Sequence, residues 1–210
     1  MSPSTTLFRS NDFIVEEPSV EAFLRAILPG LLGPVAFNIY SFQGKDQLLE
    51  RLPARLRGYA SWIPDDHRIV VLVDRDDDDC KHLKASLERM TAEAGLTTKS
   101  RPQAGRFVVL NRIAIEELEA WYFGDWKAVQ AAYPRVPTTI PNRASFRDAD
   151  AIQGGTWERF EQVMQRAGYF KSGLRKIEAA EAIGSHFSPT RNRSRSFQLF
   201  WAGLQEIIAS

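Results

Sequence analysis

The sequence has little of several features that would each indicate a class of protein. Cys80 is the only cysteine among the 210 residues, which excludes an intramolecular disulfide framework and a cysteine-based zinc site and favours a reducing compartment. The apolar segment 26–37 is interrupted by prolines and glycines before it could span a bilayer. The first 13 residues lack the apolar stretch of a signal peptide. We therefore expect a cytoplasmic protein with no membrane association.

Charge of one sign and familiar catalytic motifs are also scarce. The chain has 27 basic and 26 acidic residues, so nucleic-acid binding would need local patches. The three histidines lack metal-ligand spacing, and no order of Ser, His and Asp residues stands out as a catalytic triad. Lys45 follows Gly44, but Ile39 occupies the place of the first P-loop glycine. Any ATPase activity should therefore belong to a partner.

Hydrophobic patterning predicts four strands that alternate with three helices. The strands are expected at Phe13–Val15, about 35–42, 68–73 and 106–115, and the helices from Pro18 to near Gly33, over 46–60, and through Leu83, Leu87, Met90 and Ala94. Pro53 should bend or divide the second helix, because it cannot donate a backbone hydrogen bond. This order predicts an α/β fold with a parallel four-stranded sheet flanked by helices and right-handed crossovers.

A change in composition predicts a second unit in the C-terminal part. After a helical segment at 116–123, prolines and glycines mark a loop-rich stretch, and three further helices are expected. We predict an α/β domain at 11–125 and a helical C-terminal subdomain at 126–210. The aromatic residues of these helices favour core packing over base stacking, because they recur at helical spacing.

The segment "LVDRDDDDC", residues 72–80, places five carboxylates within six positions. Asp74 and Asp76 leave a buried strand as alternate residues, so they can present oxygens to one point. Glu16 also follows a strand, and carboxyl ends of parallel strands share one edge of the sheet. We predict that these three residues bind Mg²⁺ or Mn²⁺. The alternative for 77–79 is that the acids stabilise a helix N-terminus.

The segment "EELEAW", residues 116–121, adds a further acidic element. Glu116 and Glu119 lie on one helical face. Glu119 is nearer than Glu117 to the apolar stripe, so it is the better candidate for a half-buried carboxylate and fourth metal ligand. An ordinary solvated first turn of a helix is the alternative for each of these residues.

Five segments together resemble a known family. They are "VEEPSVEAFL", "FQGKDQLLERLPARLRGY", "VVLVDRDDDDC", "NRIAIEELEAWYFGD" and "SRSFQLF". From about residue 12 to 208 the chain resembles the domain-of-unknown-function family 4276, a Toprim-like bacterial family. Toprim domains of topoisomerases, primases and nucleases of the overcoming-lysogenization-defect type carry Glu after the first strand and Asp-x-Asp after the third.

The resemblance implies a Toprim-like fold and metal-dependent chemistry on nucleic-acid phosphodiesters. On the matching positions, it implies catalytic roles for Glu16, Asp74 and Asp76. It also implies an ATPase partner of the ABC or AAA type in phage-defence loci. The wider Toprim pattern has Gly directly after its Glu, whereas this chain has Glu17, which could alter the approach to phosphate or add a ligand.

Several basic residues are candidates for binding substrate phosphates. Lys45 follows a turn, Lys171 lies in "GYFKSGLRK", and Arg191 and Arg193 precede the last helix together with Arg195. The alternatives are solvated surface lysines, and arginines that are solvated or pair with the aspartates. Ser194 or Ser196 should cap that helix.

These features predict a Mg²⁺-dependent nuclease or nuclease-like effector that cleaves DNA or RNA. The sequence is compatible with a monomer and with a homodimer. One alternative is a non-catalytic interaction module of an ATPase complex with a vestigial metal site. Another is a nucleotide-sugar or phosphotransferase site, in which a metal also bridges phosphates. The last is disfavoured because "DRDDD" lacks the Thr or Val of a dehalogenase-type motif.

Overall fold

The computed structural model describes residues 10–76 and 78–209, and its four strands form one parallel sheet. The strands are β1 (Ser10–Val15), β2 (Ala36–Ser41), β3 (His67–Asp74) and β4 (Val109–Ala114). Their order is β2-β1-β3-β4, with Val15 opposite both Ser41 and Leu72. The predicted four-stranded parallel α/β sheet is confirmed.

Helices cover the sheet and form the C-terminal part. They are α1 (Pro18–Leu32), α2 (Lys45–Ala60), α3 (Cys80–Glu93), α4 (Glu119–Gly124), α5 (Trp126–Ala132), α6 (Thr156–Arg166), α7 (Lys176–Gly184) and α8 (Arg195–Ala209), with 3-10 turns at Ile140–Asn142 and Ala144–Phe146. The helix α4 begins later than the sequence suggests. Glu116 has a φ of 61°, which a helix does not accommodate.

Alternate residues of the strands point to two different helical layers. Phe13 and Val15 belong to a core shared with α1 and the C-terminal helices. Ile14, Val71 and Val73 belong to a second core under α2 and α3. Chain connections leave β1 and β3 toward opposite edges, so the switch point of the sheet lies between these two strands.

Pro53, which the sequence predicts to bend or divide this helix, does not divide α2. The helix runs continuously from Lys45 to Ala60 with Pro53 inside it. Four buried residues, Leu48, Leu52, Leu56 and Tyr59, lie on both sides of the proline and pack against the sheet. This continuous apolar stripe stabilises the helix against the loss of one backbone hydrogen bond.

The C-terminal helices pack on the same core as α1. Trp121, Phe197 and Phe200 are fully buried, and the rings of Trp121 and Phe200 lie 5.1 Å apart. The expected core role of these aromatics is therefore confirmed. Ser194 Oγ accepts a hydrogen bond from the Phe197 N–H (3.1 Å), so Ser194 caps α8. Within residues 10–76 and 78–209, no helix combines the length and apolar character that crossing a membrane requires.

Candidate active site at the carboxyl ends of the strands

Two buried carboxylates meet at the switch point of the sheet. Glu16 directly follows β1, and Asp74 is the last residue of β3. The Asp74 backbone N–H donates to Glu16 Oε2 at 3.1 Å, although the residues are 58 positions apart. Their exposed fractions are only 6% and 4%. The parallel topology thus brings together two of the acids predicted to share a site.

Both carboxyl groups bind a proton more tightly than an ordinary carboxyl group does. Burial raises the pKa of Glu16 to about 7, and the nearby Asp76 adds to the shift. Burial also raises the pKa of Asp74 well above its ordinary value, with contributions from the charges of Glu16 and Glu119. Adjacent carboxylates of like charge in a dry site repel each other, so a bound proton or cation stabilises them.

Glu119 adds a third buried carboxyl group at the start of α4. Its exposed fraction is 2%, so it is more buried than the half-buried position that the sequence predicts. Burial raises its pKa to about 7, and its Oε2 has no hydrogen-bond partner among the described residues. The Tyr122 hydroxyl, close to one helical turn away, is likewise buried and has no hydrogen-bond partner in the described part of the chain. Burial and the charge of Glu119 raise the pKa of Tyr122.

Lys45 compensates much of the acidic run. Its Nζ lies 2.6 Å from both Asp76 Oδ2 and Asp78 Oδ2. It also donates to the backbone carbonyls of Asp74 (3.2 Å) and Arg75 (3.0 Å). Burial alone would lower the pKa of Lys45, but the two aspartates raise it. The ammonium group therefore holds Asp76, a predicted metal ligand, by an ion pair.

The remaining charges of the run also have protein partners. Asp79 caps α3 by accepting a hydrogen bond from the His82 N–H at 2.8 Å, which confirms the helix N-terminus interpretation for this residue. Arg75 pairs with Glu116, so it points away from the acidic pair as expected. Asp77 lies outside the described residues.

Lys176 is the main site residue that sequence reasoning missed. It begins α7, and its Nζ lies 3.5 Å from Glu17 Oε1 and 5.7 Å from the centre of the Trp157 ring. Burial would lower its pKa, but the carboxylates of Glu119, Glu17 and Asp74 raise it. Lys176 therefore contributes a second positive charge, in addition to that of Lys45, close to these acids.

A comparison with protein families identifies the chain's relatives. The family model described as Domain of unknown function (DUF4276) matches residues 15–205. The chain belongs to this family. Searches of curated proteins and of solved structures found no match. The DUF4276 match begins one residue before Glu16 and extends beyond Arg193, so it contains every candidate site residue.

Glu17 is compatible with the backbone of this DUF4276 chain. Its φ of −142° and ψ of 159° are extended values that any residue adopts. Its side chain accepts a hydrogen bond from the Ser19 hydroxyl and faces Lys176. Glycine is therefore not needed here for backbone geometry.

The other basic candidates lie in different environments. Lys171 is exposed in the turn before α7. The Arg191 guanidinium donates two hydrogen bonds of 3.0 Å to the buried Asp125 carboxylate. Arg191 thus forms an ion pair, but its partner lies outside the acidic run at 74–79. Arg193 has an exposed side chain, and its backbone N–H donates to the Gly124 carbonyl at 3.0 Å. Phosphate contact by these three residues stays a prediction.

The acidic centre, defined as Glu16, Asp74 and Glu119, has donors suited to a hard cation. Carboxylate oxygens are the ligands that Mg²⁺ and Mn²⁺ prefer, and Glu119 Oε2 is buried without a hydrogen-bond partner from residues 10–76 or 78–209. In the parts of the chain that the structure describes, no three acidic, histidine or cysteine side chains already converge as a metal-binding group. The chemistry of the donors therefore fits a hard cation.

Proposed function

We propose that this DUF4276 protein is a Toprim-like, Mg²⁺- or Mn²⁺-dependent nuclease or nuclease-like effector. The observation that carries the proposal is the meeting of Glu16 and Asp74 at the switch point, where open α/β sheets bind ligands. Buried acids with raised pKa values are typical of functional sites. The proposed substrates are phosphodiesters of DNA or RNA.

The acidic centre would hold the cation, and Asp76 would join it after leaving Lys45. A bound divalent cation would polarise the scissile phosphate and lower the pKa of water. Glu16 Oε2 is occupied by the Asp74 N–H, which leaves its second oxygen to accept a proton from water. Its pKa is about 7 without a cation, and a bound cation would lower this pKa, so Glu16 would be ionised and able to accept a proton near neutral pH.

Two ammonium groups would orient the substrate. Lys45 is already surrounded by oxygens of the acidic run, and phosphate oxygens could replace the exposed carboxylate of Asp78 as its partner. Lys176 lies beside Glu17 and can neutralise charge on a phosphate. We also propose an ATPase partner of the ABC or AAA type and a role in defence against phage.

The second candidate is a non-catalytic interaction module of an ATPase complex. The ion pair between Lys45 and Asp76, at 2.6 Å, favours it. A lysine that permanently compensates the second aspartate of the Asp-x-Asp pair would leave a vestigial metal site. The two candidates differ in whether Asp76 exchanges Lys45 for a cation.

The decisive experiment measures cleavage of labelled single-stranded DNA, double-stranded DNA and RNA by the full chain. Mg²⁺ and Mn²⁺ are compared with EDTA. We expect metal-dependent cleavage that falls by about a hundredfold or more in Glu16→Gln and Asp74→Asn. Glu50→Gln is the matched control, because Glu50 is an exposed acid on α2.

Two results would contradict the nuclease proposal. One is cleavage that persists in EDTA or in Asp74→Asn. The other is no cleavage of any substrate together with no Mg²⁺ binding by calorimetry. The second result, combined with retained binding to an ATPase encoded nearby, would favour the interaction module.

A further inference from the structure

An open groove runs along the outer edge of β4, away from the acidic centre. Its floor is formed by residues of the strand from Asn111 to Ile113, with Ile115 beyond the strand end. One wall comes from the first turns of α3, and the other comes from the start of α8. Its volume is about 460 Å³, which is within the range of binding pockets.

The main chain at the floor of the groove has free hydrogen-bonding groups. The Val108 and Ala114 carbonyls accept hydrogen bonds from β3 and the residue after it. Since parallel strands alternate the side to which each residue bonds, the main-chain groups of Asn111 and Ile113 face outward. No backbone partner within the described part of the chain reaches the Ile113 N–H or carbonyl.

A short extended segment at 97–99 pairs with this edge near Val109 but does not continue along β4. The Val109 N–H donates to the Thr97 carbonyl at 2.9 Å, and the Lys99 N–H donates to the Val109 carbonyl at 3.0 Å. Thr98 and Val109 form an isolated parallel bridge. Beyond Val109, the Lys84 ammonium (2.7 Å) and the Arg112 guanidinium (3.0 Å) both donate to the Asn111 carbonyl. The edge is open for strand pairing at Ile113, whose main chain has no partner among residues 10–76 and 78–209.

The side chains around the groove are apolar and basic. Leu199 on α8 is 52% exposed, and Ile113 and Ile115 are partly exposed beneath it. The Arg112 guanidinium donates to two carbonyls, those of Leu199 (3.0 Å) and Asn111 (3.0 Å). Neither Arg112 nor the exposed Arg195 has a carboxylate within ion-pair distance in the described residues.

Asp150, the carboxylate that lines the groove beside α8, is already hydrogen-bonded. Asp150 accepts hydrogen bonds from the hydroxyls of Ser194 and Ser196, both at 2.8 Å. It also accepts from the backbone N–H groups of Arg195 and Ser196. Its oxygens are therefore already hydrogen-bonded and form no ion pair with either arginine in the described residues. Glu206 and Glu88 act on Arg112 only from beyond ion-pair distance.

We propose that this groove binds an extended, acidic peptide segment of a partner protein, which pairs with β4 as an added strand. The outward main-chain groups of Ile113 would form the ladder, as in other complexes built by strand addition. Aliphatic side chains of the peptide would pack on Leu199, and acidic side chains would pair with Arg112 and Arg195. The proposal does not depend on the nuclease activity.

A second copy of the chain is a poorer occupant. In a two-fold symmetric dimer, the β4 strands of the two copies would have to lie side by side within hydrogen-bond distance. Here the edge lies at the floor of a groove between α3 and α8, so these helices from the two copies would collide first. A single extended peptide has no such flanking elements.

The test selects phage-displayed random nine-residue peptides on the full chain and measures synthetic, fluorescein-labelled winners by polarisation. We expect enriched peptides that alternate acidic and aliphatic residues. Cys80, the only cysteine, lines the groove, so bound peptide should slow its reaction with N-ethylmaleimide.

Surface variants with matched controls locate the binding site. Arg195→Glu and Leu199→Asp should each weaken binding by about tenfold or more. The controls Arg57→Glu and Ile177→Asp change equally exposed residues elsewhere and should alter it less than about twofold. Enrichment of no peptide, or of peptides unaffected by the groove variants, would overturn the proposal. The proposal would also be overturned if sedimentation showed a dimer that the Arg195→Glu substitution dissociates, because the groove would then bind a second copy of the chain.

Discussion

In the absence of metal, the stability of the Glu119→Gln variant relative to wild type should increase as the pH rises. Burial raises the pKa of Glu119 to about 7 from an ordinary 4.5. The folded state therefore binds this proton more tightly than the unfolded state. The associated stability is fully present below about pH 4.5 and is lost as pH rises through about 7.

The size of the effect follows from the two pKa values. Each pKa unit corresponds to about 1.36 kcal/mol, so ionisation of Glu119 costs the folded protein about 3 kcal/mol at pH 8. The glutamine amide has its own cost of about 1–3 kcal/mol if its donors lack partners. That cost does not depend on pH, so the change between pH 5 and pH 8 isolates the ionisation.

The assay is urea unfolding in EDTA at several pH values, with the free energy of unfolding of each protein extrapolated to water. The difference between Glu119→Gln and wild type should shift in favour of the variant by about 2–3 kcal/mol between pH 5 and pH 8. Glu50→Gln, an exposed control, should show no such shift. A difference for Glu119→Gln that stays flat with pH would refute the assignment of a raised pKa to this carboxyl group.

The stabilisation of the folded protein by added Mg²⁺ tests whether Glu119 binds the cation. A ligand at 100 times its dissociation constant stabilises a folded protein by about 2.7 kcal/mol. If the acidic centre holds the cation, Mg²⁺ at pH 8 should stabilise wild type more than Glu119→Gln. Equal stabilisation of both proteins would remove Glu119 from the proposed ligands.

Three other substitutions test the surroundings of the site by urea unfolding. Gly124→Ala should cost about 1–3 kcal/mol, because the new Cβ would lie 2.3 Å from Asn192 Oδ1; unchanged stability would contradict this packing. Asp125→Ala should cost about 2 kcal/mol, because the buried carboxylate holds Arg191 with two hydrogen bonds; a neutral effect would contradict it. Lys45→Met should cost about 1 kcal/mol in low salt and less in high salt, because it unpairs two half-exposed aspartates; a salt-independent cost would contradict the ion pairs.

The strand-end acids could be predicted because local pattern and topology determine them together. The apolar run of β3 ends at Asp74, and that of β1 ends just before Glu16. Once the strands are parallel, both ends must lie at one edge of the sheet. The lengths of α2 and α4 were less predictable, because packing of the leucine stripe tolerates Pro53 and the left-handed Glu116 delays a helix start.

The role of Lys176 could not be predicted from the sequence. It lies five residues after Lys171 in the same basic segment, and local pattern does not distinguish the two. What decides is the packing of α7 against α1, which directs Lys176 toward Glu17. Likewise, the partner of Arg191 is Asp125, 66 positions away, so only the folded chain reveals that pairing.

The charges around the acidic centre explain why its stability and its proposed function are linked. Seven carboxyl groups interact with two lysines: Glu16, Glu17, Asp74, Asp76, Asp78, Glu117 and Glu119 with Lys45 and Lys176. Full ionisation would leave five negative charges without a lysine, and burial raises the pKa values of Glu16, Asp74 and Glu119 against this state. Protons relieve the repulsion near neutral pH. A divalent cation would relieve it at the same oxygens, so binding should compete with protons and strengthen as pH rises.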